Sequence, residues 1–192
     1  MKEKLEYPIK LFKAKQDFEK WLEKNGTKVP GIWLRFFKKD SGKKSITYAE
    51  AVNEAFSFGW IDGQAQKYDE HSWLQKFTPR RAKSIWSKRN TEYVQQLIEA
   101  GRIRPEGLQQ VSAAKADGRW DKAYASPINS EVPEDFIKQV SKNKKAFAFF
   151  ESLNKTNKYA IAHRLSTASK PETRKNRMKK FLQMMREGKK FY

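Results

Sequence analysis

The chain has no cysteine, only 2 histidines, and 22 acidic residues against 41 Lys and Arg in a length of 192. Without a thiol there is no disulfide, no thiolate metal ligand and no cysteine nucleophile. His71 and His163 are far apart in sequence and outside any His-Glu-x-x-His spacing, so no zinc site is expected. No Gly-x-Ser-x-Gly elbow presents a hydrolase serine. Long apolar runs are also missing. Met1 to Lys20 alternates charged with apolar residues, unlike the core of a signal peptide, and no later stretch has the length of a membrane span. The expected location is the cytoplasm, with no integral membrane segment.

What the chain does have is aromatic mass and positive charge. Hydrophobic residues make up only 38% of it, yet they include 13 Phe, 6 Trp and 7 Tyr, so large rings should dominate the core. The formal charge of +19 sets up a potential that draws polyanions. That charge is concentrated late: from Ser141 to the end there are 15 basic and 3 acidic residues.

Periodicity and stop signals give the elements. Phe18, Trp21 and Leu22 lie at helical spacing within Lys15 to Asn25, and Gly26 offers a left-handed stop. Ile32, Trp33, Leu34, Phe36 and Phe37 form a branched and aromatic run between Pro30 and the Asp40-Ser41-Gly42 turn, which reads as a buried strand. Thr47 and Glu50 make a capping box for a second helix that Gly59 ends. Trp60 to Lys67 and Ser72 to Thr78 read as a hairpin around Tyr68-Asp69-Glu70-His71.

A helix capped by Ser87 or Asn90 follows, with Tyr93, Val94, Leu97 and Ile98 on its apolar face and Gly101 as its stop. Pro105 to Asp117 predicts its companion. After a linker rich in Ser and Pro, Ala125 to Val132, the pattern is helical throughout: Pro133 to Asn143, Lys144 to Leu153, Asn157 to Ala168 and Ser169 to Gly188. The last helix carries a Ser169/Glu172 capping box and an apolar row of Met178, Phe181, Leu182 and Met185. The fold class is therefore α+β: a small, mostly antiparallel sheet packed by helices in residues 1–125, then an all-helical C-terminal subdomain in 131–192.

Residues with chemical potential cluster between positions 60 and 90. Asp62 with Asp69 or Glu70 could act as paired carboxylates or as oxygen ligands; the plainer reading makes them turn residues and partners of Arg80 or Arg81. Arg80 and Arg81 offer forked donors for phosphate or carboxylate, and Ser84, Ser87 and Asn90 could add donors at the following helix N-terminus, although capping alone accounts for them. Trp60, Trp73 and Trp86 suit a ligand wall but are more often core. Arg174 falls on the apolar stripe of the last helix, so it is expected to turn inward onto a carboxylate or an anionic ligand while Lys175, Lys179 and Lys180 stay in water. The candidate anion pocket is thus Trp60, Asp62, Asp69, Glu70, Arg80, Arg81, Ser84, Ser87, Asn90 and Arg174.

The runs Gly59-Trp60-Ile61-Asp62-Gly63, Phe77-Thr78-Pro79-Arg80-Arg81 and Ser84-Ile85-Trp86-Ser87-Lys88-Arg89-Asn90, with the segment from Ala116 to Trp120 and the stretch from Glu172 to Arg177, make the chain resemble the bacterial YdeI/OmpD-associated (bacteriocin-protection, OmdA-type) family over roughly residues 15 to 190. The resemblance implies a role in protection against bacteriocins or cationic antimicrobial peptides. It brings no cofactor, no metal and no catalytic set. A protein of charge +19 repels a cationic peptide at long range, so such a role would run indirectly through an anionic protein partner. Two further readings come from the residues: a small-anion binder or enzyme built on Asp62, Arg80 and Arg81, and nonspecific nucleic-acid binding by the basic C-terminal helices.

Overall fold

A computed structural model describes residues 6–125 and 130–192. Half of the expected linker, 126–129, and the first five residues lie outside the described residues. The chain divides into two compact units, Met1–Ser84 with Asn90–Asp121, and Ile85–Arg89 with Lys122–Tyr192.

The first unit is built on a four-stranded sheet of order β1-β2-β4-β3, made by β1 (Ile9–Lys10), β2 (Ile32–Phe37), β3 (Trp60–Lys67) and β4 (Ser72–Pro79). The last two form the expected hairpin, and β4 also pairs antiparallel with β2 in register Ile32↔Phe77 to Phe37↔Ser72. The two-residue β1, too short to show a sequence period, adds a parallel edge beside Trp33 and Leu34. Strand alternation sorts the side chains. Ile32, Leu34, Phe36, Gln75 and Phe77 share one face, and the ring of Phe77 meets Phe18 of α1 (Lys15–Asn25) at 6.1 Å. Trp33, Arg35, Lys76 and Thr78 share the other face.

Helix α2 (Tyr48–Ser57) starts at the expected capping box, with Thr47 Oγ1 accepting from the Glu50 amide and Glu50 Oε2 accepting from the Thr47 amide at 2.9 Å. Helix α1 ends differently from the sequence reading. Gly26 is right-handed (φ −58°), and its carbonyl instead accepts the buried Trp60 indole N–H at 3.0 Å. The left-handed stop falls at Gly59 (φ +72°), where α2 turns into β3. A Cβ there would stand 2.9 Å from the Glu106 carbonyl, and a Cβ on Gly107 would stand 2.2 Å from the Ser57 carbonyl, so two glycines let α4 (Pro105–Ala116) lie against the end of α2. The intervening α3 (Lys88–Glu99) buries Val94 and Leu97.

The second unit contains α5 (Glu134–Val140), α6 (Lys144–Ser152), α7 (Lys155–Ser166) and α8 (Pro171–Arg186). Phe136, Val140, Phe150, Ile161, Leu165, Phe181 and Met185 form its core. Helix α7 begins two residues before the expected Asn157, because Asn154 caps it. Asn157 is instead buried inside the first turn, where its side-chain oxygen accepts the Phe191 amide at 2.8 Å and ties the last residues to the bundle. The Ser169/Glu172 capping box does not form. Pro171 takes the first helical position and makes Lys170 the boundary residue, one residue later than Ser169.

Candidate anion-binding cleft

At the open end of the β3–β4 hairpin the antiparallel pairing runs one residue past the strands, with the Arg80 amide donating to the Gly59 carbonyl at 2.9 Å. Arg80 therefore continues the alternation of Lys76 and Thr78, on the face opposite Phe77. It is 5% exposed, and its Nη1 reaches Ser84 Oγ at 3.5 Å. The loop that carries it is fastened from both sides. The Ser84 amide donates to the Arg81 carbonyl at 2.9 Å, and Arg119 Nη1 donates to the Ser84 carbonyl at 2.8 Å while its Nε grips Asp117. That hydrogen bond from Arg119 holds the Asp117 carboxyl below its usual range.

Opposite Lys76, β3 carries a bulge between Asp62 and Ala65, and Gln75 Nε2 donates across it to the Gly63 carbonyl at 2.7 Å. The bulge and the strand ends enclose a cleft of about 660 Å³, with Lys76, Thr78, Arg80, Arg81 and Ser84 in its wall and Tyr7 at its edge. Lys76 reaches Glu6 at 3.0 Å and lies 4.6 Å above the Tyr7 ring. Arg81 is exposed and makes no ion pair among the described residues.

The candidate residues do not form one constellation. Asp62, Arg80, Arg81 and Ser84 border the same cleft, but Asp62 pairs with Phe77 on the helix-covered face, where its carboxylate accepts from the Tyr48 hydroxyl at 2.6 Å. Asp69 and Glu70 stand at the other end of the hairpin, in its turn, and line no part of the cleft. Asp69 accepts from Arg35 at 2.6 Å and from Ser72 at 2.7 Å, and Glu70 pairs with Lys67 at 2.6 Å. Hydrogen bonds, from Ser72 above all in one case and from Lys67 in the other, hold both carboxyls below their usual range. Neither acid meets Arg80 or Arg81, because strand length separates the two ends of the hairpin.

Trp60 is core: 1% exposed and edge-on to Trp21 at 5.9 Å. Trp86 is buried as well, whereas Trp73 is half-buried. Ser87 and Arg174 belong to the second unit. Ser87 bridges Tyr124 immediately before α3, and Asn90 sits inside that helix and not at its cap. Arg174 meets a carboxylate, as its place on the stripe predicts, with both its terminal nitrogens on Asp135 at 2.7 and 2.9 Å. It is not inward, however. Its side chain is 37% exposed, because α5 presents Asp135 at the rim of the bundle, and Lys175, Lys179 and Lys180 are exposed. The cleft residues missed by sequence reasoning include Tyr7, Gln64, Lys76 and Thr78. The period of two along β4 carries the last two, since they alternate with the buried Phe77.

Among the described residues no group of three or more His, Asp or Glu could hold a metal ion, and no helix is long and apolar enough to cross a membrane. The geometry defines an α+β unit with a basic cleft, followed by a bundle of helices with its own core. The chain belongs to the family described as Domain of unknown function (DUF8412), whose model matches residues 10–110. Residues 129–188 match a second model, described as Bacteriocin-protection, YdeI or OmpD-Associated. The second match lies on the helices from α5 onward, whereas the Trp60, Arg80 and Asn90 runs fall in the range of the first. No curated protein and no solved structure matches the chain.

Proposed function

We propose that the protein binds a small anionic molecule, a phosphate ester or a carboxylate, in the cleft at the open end of the β3–β4 hairpin. The observation that carries this reading is the wall of Arg80, Arg81, Thr78 and Ser84 around one open volume, with the carboxylate of its acidic lining residue, Asp62, held away by Tyr48. Arginine forks suit bidentate acceptors, and a buried guanidinium at the base of a cleft acts in a lower dielectric than an exposed one. Binding is the function proposed, since the acidic residue of the cleft wall, Asp62, has its carboxylate on the Tyr48 hydroxyl.

The match of residues 129–188 supports a place for this binding in bacteriocin protection. We extend that role to cationic antimicrobial peptides and place it in the cytoplasm. The route is indirect, through the anion or an anionic partner, because a chain of charge +19 repels cationic peptides.

A thermal-shift series with phosphate, sugar phosphates and dicarboxylates, at low and moderate salt, tests the reading. Binding to the folded state raises the melting temperature by mass action. A shift that survives moderate salt and disappears in Arg81→Glu is the expected result. An equal shift in wild type and Arg81→Glu, or none with any anion, overturns it.

A further inference from the structure

We infer that the loop joining β2 to α2 forms a second site, separate from the arginine cleft, that takes a nucleotide unit: a planar base against Trp73 and Tyr48 with its phosphate on the lysines of residues 38–44. The same chemistry is presented by a free nucleotide and by one unit of a single-stranded nucleic acid.

The site combines two features. The first is a cluster of rings left partly open. Phe36 and Trp73 stack at 4.6 Å and 21°, and Tyr48 leans on Trp73 at 5.8 Å and on Phe36 at 6.2 Å. Only Phe36 is sealed in the core; Trp73, Tyr48 and Phe37 are half-buried and line a cleft of about 480 Å³. The second is a set of four lysines on the same cleft, Lys38, Lys39, Lys43 and Lys44, none of which makes an ion pair among the described residues. Lys43 lies 5.5 Å above the Phe37 ring, so cation and ring already meet there.

The loop is held in place. Ser41 Oγ donates to the Lys38 carbonyl at 2.6 Å and accepts from the Lys43 amide at 3.2 Å, and Ser45 Oγ accepts from the Phe37 amide at 3.0 Å. The lysines thus project from a fixed frame, which lowers the entropy lost when a ligand is gripped. Glu50 would oppose an anion, but its carboxylate is folded back onto the Thr47 amide and hydroxyl. That same cap occupies the α2 N-terminus, so the phosphate charge falls to the lysines and not to helix amides. Lysines alone would be a solvated loop. Rings alone would be a loose core edge. Side by side they match the two halves of a nucleotide, since every base has a face that stacks and every phosphate attracts ammonium groups.

The test titrates the full chain with AMP and with a short labelled oligothymidylate, following tryptophan emission and anisotropy at two salt concentrations, with heparin as a polyanion that lacks bases. Quenching of tryptophan emission is expected in wild type, together with binding about tenfold or more weaker in Lys43→Glu/Lys44→Glu. Trp73→Phe, which keeps a ring on Phe36, should lose the quench. Binding of the oligonucleotide alone identifies a strand as the source, and binding of AMP as well identifies the single nucleotide. Affinity unchanged in the double lysine variant, emission unchanged on binding, or heparin bound as tightly with no preference for base-bearing ligands overturns the inference. The quench that depends on Trp73 should persist in Arg81→Glu even where AMP no longer enters the arginine cleft, so failure of that cleft and failure of this site are distinguishable.

Discussion

The two units use their cations in opposite ways. In the first, arginines tie together elements distant in sequence: Arg102 reaches Glu54 of α2 at 2.7 Å, Arg104 reaches Glu19 and Glu23 of α1 at 2.7 and 2.9 Å, and Arg35 of β2 reaches Asp69 in the hairpin turn at 2.6 Å. In the second, acidic residues are scarce and arginines turn to other acceptors. Arg177 donates to the Arg164 carbonyl, and Arg164 lies 4.5 Å over the Phe191 ring. Arg174–Asp135 is the close bidentate exception. Arg35, Arg102 and Arg104 are therefore part of the framework of the sheet unit, whereas the cations of the helical unit are largely an exposed surface. Within the sheet unit both uses stand side by side, since Arg81 and the lysines of residues 38–44 are exposed and make no ion pair among the described residues.

Three substitutions sharpen this comparison. The largest effect is expected from the helical core, whose stability rests on apolar burial. Phe136→Ala removes a fully buried ring and should cost about 3–5 kcal/mol in urea denaturation. A cost under about 1 kcal/mol would mean that the bundle does not depend on that core.

Arg102→Ala comes next. Burial pushes the Glu54 carboxyl up, and Arg102 pulls in the other direction without cancelling the rise. An acid with a raised folded-state pKa binds its proton more tightly in the folded state, so stability falls as pH rises from the ordinary carboxylate value through the folded one. Removing the arginine deepens that fall. The expected loss is about 2 kcal/mol at neutral pH, shrinking in acid where Glu54 takes up a proton, and equal losses at the two pH values would contradict a framework role.

The smallest effect belongs to Arg174→Ala. Its hydrogen bonds hold the Asp135 carboxyl below the usual range, so the pair's contribution is present at neutral pH and disappears as pH falls through the depressed value. The pair is about half exposed and screened by solvent, and a loss of about 0.5–1 kcal/mol is expected, with a flatter acid limb in pH-dependent melting. A loss as large as that of Arg102→Ala would erase the contrast between the units.

Much of the fold was legible because local chemistry and tertiary packing agree. The Thr47/Glu50 box, the Phe77 alternation and the apolar row ending at Met185 each mark an element without reference to the rest of the chain. The boundaries that moved did so where two local signals competed, as when Pro171 displaced Ser169 from the helix boundary and Asn154 capped a helix expected to start at Asn157. The site was less legible, because closeness in sequence is not closeness in an antiparallel hairpin. Asp69 is nearer to Asp62 in sequence than Arg80 is, yet the hairpin carries Asp69 away and returns Arg80 beside Gly59. Only the strand register separates these cases, and composition does not encode it.

The paired glycines at the junction of α2, β3 and α4 carry a consequence for how sequences with this fold can vary. Positions 59 and 107 act as one hinge-plate of bare backbone, each blocked by a carbonyl of the opposing segment if it gains even a methyl group. Gly42 and Gly101, with nothing near their missing Cβ atoms, are free of that constraint and answer only to backbone conformation. A saturation library selected for folded protein should therefore return Gly59 and Gly107 almost without alternatives. Asn and Asp should recur at 42 and 101, and the two kinds of glycine would separate in sequencing counts alone.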